Sequence, residues 1–126
     1  MMTPKNMSWD VPIENLKVQE VQKAAYICID TRFPKQVTLS NSAWANRPQD
    51  EYLRIKEDKV VDVITDICLK IMDLRPTVPL IKNNGVWTKY IKFFRISENE
   101  FTVLDRHNDA IFGISDLEID FKNYTV

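Results

Sequence analysis

A chain of 126 residues, 44% hydrophobic and 28% charged with a net charge of −1, has the composition of a globular protein. That balance argues against disorder, and the length suits one domain around a single core. The longest apolar runs, such as residues 24–29, are far too short to span a bilayer.

The first ten residues, Met-Met-Thr-Pro-Lys-Asn-Met-Ser-Trp-Asp, lack the charged and apolar regions of a secretory signal, which predicts an intracellular, cytoplasmic protein. Cys28 and Cys68 agree, because each lies in an apolar segment where reduced cysteine behaves as a small hydrophobe. The acceptor-like triplets at Asn6 and Asn123 carry no meaning without secretion. Glycine occurs only at Gly85 and Gly113. Loops that cradle phosphate through bare backbone need clustered glycines, so neither a P-loop nor a dinucleotide fingerprint fits, and no cofactor is expected.

Residues 1–12 hold two prolines and no periodicity, and read as an N-terminal arm whose Trp9 tucks onto the body. Residues 13–126 read as one domain. Ile13, Leu16, Val21, Ala24 and Ala25 fall among charged and amide residues, which predicts a short helix, although 16–18 also suits the start of a strand. Residues 25–31 are β-branched and aromatic, with Ala25, Ile27 and Ile29 on one face. A loop over 32–36 returns the chain as a strand at 37–40, and the polar stretch 40–48 reads as a linker.

The clearest element is a helix ending at Arg75. Val60, Val61, Ile64, Ile67, Cys68, Ile71 and Met72 form one broad apolar stripe, Asp58 suits its N-cap, and Pro76 stops it. Residues 50–56 suit either an extension of that helix or a separate element. Asn83-Asn84-Gly85 is a hairpin signal with arms at 77–82 and 86–96, and Pro79 places the first arm at an edge. Further strands are expected at 101–105, 110–114 and 117–121. The expected core is Ile27, Ile29, Val61, Ile64, Ile67, Cys68, Ile71, Ile91, Phe93, Val103, Ile111 and Ile114.

Two neighbouring charge blocks stand out. Residues 77–97 carry Lys82, Lys89, Lys92 and Arg95 without an acid, whereas 98–126 hold seven acids against Arg106 and Lys122. A sheet with one basic and one acidic border suits binding a macromolecule better than it suits chemistry. In the basic block, Trp87, Lys89, Phe93 and Arg95 share one face by period-2 alternation, a mixture that can stack bases and hold phosphate. Core packing with the cations at its margin explains the same pattern more simply. In the acidic block, Asp105, Asp109, Asp116 and Glu118 suit a basic protein surface, beside the plainer reading of solvated turns.

The turn at 105–109 lacks the alternating acids, the glycine and the distal glutamate of a calcium loop, so no metal is expected. His107 is the only histidine and has no recognisable nucleophile beside it. Trp44 and Arg47, flanked by small residues, suit an interface hot spot, or Trp44 plugs the core.

The expectation is an α+β fold: one long amphipathic helix and a shorter N-terminal helix on a mostly antiparallel sheet, ending in a C-terminal β-meander. The expected function is a non-enzymatic protein-binding module, an inhibitor, immunity factor or other antagonist with an acidic C-terminal surface. The alternative is a single-stranded nucleic-acid binder using the basic aromatic strand at 82–95.

Overall fold

The computed structural model describes residues 7–42, 53–74, 81–83, 86–88, 90–103 and 117–126, the stretches 81–83 and 86–88 through their backbone alone. The fold is α+β. Strands β1 (Ser8–Pro12), β2 (Tyr26–Asp30), β3 (Gln36–Ser40), β4 (Leu53–Lys56), β7 (Tyr90–Ser97) and β8 (Glu100–Val103) form one antiparallel sheet in the order β1-β3-β2-β7-β8-β4. A separate pair joins β5 (Ile81–Asn83) to β6 (Val86–Thr88). Helix α1 (Val18–Gln22) is short, and α2 (Glu57–Leu74) is long.

Alternation along the strands builds the core. Trp9, Leu39, Ile27, Phe93, Val103 and Leu53 lie opposite one another in register, making an apolar row across all six strands. Val11 with Val37, and Ile29 with Ile91, add further rungs on the same face. Helix α2 covers that face with Val60, Val63, Ile64, Ile67, Cys68 and Ile71, all fully buried. Their spacing of three and four residues is the stripe a 3.6-residue period requires. Glu57 and Asp58 occupy its first turn, where acids complement the positive end of the helix dipole.

Several sequence expectations change in the folded chain. Residues 8–12, read as part of an arm, form the edge strand β1, because Trp9 and Val11 alternate onto the apolar row. The expected helix within 13–25 breaks at Leu16 and Lys17, both extended, so that Leu16 enters the core between a 3₁₀ turn (Ile13–Asn15) and α1. Residues 53–56 pair with β8 as a strand rather than extending α2. The predicted arm 86–96 divides between β6 and β7, which belong to different sheets. The expected strand at 117–121 is absent: Leu117 is buried, a 3₁₀ turn covers Phe121–Asn123, and Thr125 alone bridges Ile55. Val61 sits half-buried at the rim, and its neighbour Val63 takes the buried place. Arg75, Pro76, Ile111 and Ile114 lie outside the described residues.

One side chain ties these pieces together. Arg95 follows Phe93 on the core face and reaches the margin of the sheet. Its Nε donates to the carbonyl of Ala24 at 2.9 Å, and its Nη2 to that of Val21 at 2.8 Å. Its Nη1 donates to Glu57 Oε1 at 2.6 Å and to the carbonyl of Glu98 at 2.9 Å. The guanidinium also lies over the Phe101 ring, 4.5 Å from its centroid. Only a planar, multidentate cation serves the end of α1, the start of α2 and the β7–β8 turn at once. Both Arg95 and Glu57 are mostly buried, so truncating Arg95 removes the partner of a carboxylate and of the Ala24 and Glu98 carbonyls, while the Val21 carbonyl keeps the Ala24 N–H. Arg95→Ala is expected to cost about 2–3 kcal/mol in urea denaturation, with Arg95→Lys recovering less than half. A loss below about 1 kcal/mol would show that the junction holds without it.

Candidate functional site

The polar side of α2 presents Asp62, Asp66, Leu69, Lys70 and Asp73 at helical spacing, so they share one outward face. The C-terminal tail runs beside it. Leu117 is fully buried and anchors the tail in the core. Glu118 follows with φ 56°, a left-handed conformation that costs a residue with a Cβ roughly 1 kcal/mol, and it turns the chain outward. Asp120 caps the 3₁₀ turn by accepting from the backbone N–H of Lys122 at 3.1 Å. Beyond the turn, the N–H of Lys56 donates to the carbonyl of Tyr124 at 3.1 Å, and the N–H of Val126 to that of Arg54 at 3.0 Å. The tail therefore lies along the free edge of β4, and the Tyr124 hydroxyl donates to the Asp66 carboxylate on α2.

Between helix and tail lies an open groove of about 440 Å³. Among the described residues, Asp66, Asp73, Glu118 and Asp120 line it against a single ammonium, Lys70. Leu69, 52% exposed, gives it an apolar centre together with half-buried Ile119. A second groove of about 450 Å³ is bordered by Lys56, Glu57, Asp58, Glu100 and Val126.

Tyr124 is pushed up to about 12, first by its hydrogen bond to Asp66, then by loss of hydration and by the charges of Asp66, Asp62 and Asp120. The neutral phenol is the form that latches the tail. The two thiols are also displaced upward by burial, Cys68 to about 12 and Cys28 to about 11, the latter opposed by Lys92 and assisted by Asp30. Neither is an activated nucleophile. Among the described residues, no cluster of three or more His, Cys, Asp or Glu is placed to hold a metal ion. No described helix is long and apolar enough to cross a membrane.

Of the acidic candidates from the sequence, Glu118 stands exposed on the rim of the groove. Trp44, Arg47, Asp105, Asp109, Asp116 and His107 lie outside the described residues. Two of the basic-strand candidates have other roles. Phe93 is fully buried in the core row, and Arg95 is spent on the helix junction. Trp87 belongs to β6 in the separate pair, and Lys89 lies outside the described residues. Sequence reasoning missed Asp66, Asp73, Asp120 and Tyr124. The acids at 62, 66 and 73 recur on one helical face, a signal open to the same periodicity that identifies the apolar stripe.

Comparison with protein-family models, with curated proteins and with solved structures finds no match.

Two measurements check this chemistry. The raised folded pKa of Tyr124 means its contribution is complete below pH 10, the unfolded value, and is lost as pH rises through about 12. Stability should therefore fall less over that interval in Tyr124→Phe than in the wild type; equal losses would mean the latch is not felt. A disulfide reagent at pH 8 should label the native thiols at least about 10-fold more slowly than the urea-unfolded ones. Rapid native labelling would contradict the burial of Cys68 and the partial burial of Cys28.

Proposed function

We propose that this chain is a small non-enzymatic protein-binding module, acting as an inhibitor, immunity factor or other antagonist. The carrying observation is the groove between α2 and the tail, where four carboxylates surround the exposed Leu69. The acids are held on ordered backbone: two stand on a long helix, Asp120 caps a turn, and Glu118 follows the buried Leu117. A preorganised charged border around an apolar centre suits a partner that presents Lys or Arg around an apolar side chain. The border steers encounter and sets orientation, while burial of Leu69 and Ile119 contributes the apolar part of affinity.

The test compares immobilised wild-type protein with the double variant Asp73→Lys/Glu118→Lys in lysate of the native source, with and without nuclease. A partner retained by wild type in both conditions is purified, and its association rate is measured against ionic strength. The charge-reversed variant should associate roughly 10-fold more slowly at low salt, the difference closing as salt screens the field. Equal rates for the two proteins would sink the acidic-groove mechanism, and retention that vanishes with nuclease would sink the protein-partner reading.

A further inference from the structure

The outward side of α2 carries a row of side chains besides the buried stripe. Val61, Thr65, Leu69 and Met72 recur at intervals of three and four residues, so they line one seam along the helix. Leu69 is 52% exposed, and the other three are half-buried. The Thr65 hydroxyl donates to the Val61 carbonyl at 2.8 Å, so it adds no unsatisfied donor to the seam. From 61 to 72 the seam is about 16 Å long. A groove runs along each side of it. On the tail side, Asp66, Asp73, Glu118 and Asp120 stand against the single ammonium of Lys70. On the other side, Ile13, Glu14 and Lys35 line an open groove of about 560 Å³ together with Thr65 and Met72. One border is therefore strongly acidic, and the other holds one charge of each sign.

We propose, resting on the protein-binding reading above, that the partner presents an amphipathic helix, basic along one flank, which docks lengthwise on this seam. Backbone groups in the middle of a helix are bonded within it, so the seam offers side chains alone. An extended strand laid there would leave its own N–H and C=O groups unsatisfied, whereas a helix satisfies them internally. A ridge between two grooves is also the relief against which a helix surface packs. Apolar residues of the incoming helix at i, i+3, i+4 and i+7 meet Val61, Leu69 and Met72. Charge selects the flank. Lys or Arg belongs on the side above Asp66, Asp73 and Glu118, while the side above Glu14 and Lys35 favours neither sign. A second copy of this chain fits poorly in either direction. Laid antiparallel, the two acidic borders meet; laid parallel, each meets a border with only Lys35 to offer it.

The probe is a display library of helical peptides of roughly 15–20 residues with randomised apolar and charged positions, selected on wild-type protein and counter-selected on Leu69→Ser. Retained peptides should carry apolar residues at i, i+4 and i+7, with Lys or Arg along one flank only. The tightest of them, synthesised, should lose about 10-fold or more in affinity for Leu69→Ser and for Asp73→Lys/Glu118→Lys, both variants keeping the wild-type circular dichroism. A proline in the middle of that peptide should abolish binding. Acetylation of free and peptide-bound wild-type protein needs no substitution. It should show Lys35 and Lys70 both shielded, because a helix on the seam covers both grooves. Failure to retain any peptide that distinguishes wild type from Leu69→Ser overturns the proposal, as does undiminished binding of the proline peptide. Shielding of Lys70 alone overturns it and leaves the acidic-groove reading standing. Retained peptides that lack a basic flank and ignore the charge reversal overturn both.

Discussion

The end of α1, the start of α2 and the β7–β8 turn meet at the Arg95 guanidinium. The end of α1, the entry to α2 and the β7–β8 turn each leave backbone carbonyls or a carboxylate without a partner inside their own element. Arg95 serves all three from one position on a central strand, with the Phe101 ring beneath it. Among the described residues, no buried side-chain nitrogen or oxygen lacks a hydrogen-bond partner. A basic residue in a basic stretch of sequence therefore acts as an internal fastener, and the direction α2 takes across the sheet depends on it. The backbone of Glu57 adds a second tie, donating to the Asn99 carbonyl at 2.7 Å.

The acidic groove inherits its shape from that arrangement. Arg95 helps set where α2 begins, and the helix carries Asp66, Leu69 and Asp73 along its outer side. The tail is placed separately, by the burial of Leu117, by hydrogen bonds to the free edge of β4, and by Tyr124 on Asp66. The same contacts close a sheet edge that would otherwise offer unpaired backbone to another chain. Tyr124 joins the two borders of the groove, so the stability of the tail and the geometry of its carboxylates are coupled. A tail that moved away would disperse the charge cluster at once.

The two sides of the sheet differ in the interactions they offer. The α2 side presents carboxylates around an exposed aliphatic residue, and on the far side the Lys92 ammonium lies near the Tyr90 ring.

The chain alone determined the class of fold and part of the core. The stripe of α2, the alternation that buries Ile27, Ile29, Ile91 and Phe93, and the turn between β7 and β8 follow from local periodicity and turn chemistry. Those features need only neighbours a few residues apart. Acidity in the last third was equally legible, and Glu118 lines the groove beside α2. What needed the tertiary structure was every property that depends on a distant partner. Residues 8–12 became a strand only because β3 lies beside them, and 53–56 became one only because β8 does. Phe93 and Arg95 had the alternation of an exposed binding face and of a core margin alike; α2 and Glu57 decided for the margin. The groove itself joins residues some fifty positions apart, Asp66 to Tyr124 being 58. Period and propensity act along the chain, while burial and charge pairing act across it, and only folding brings the second set into being.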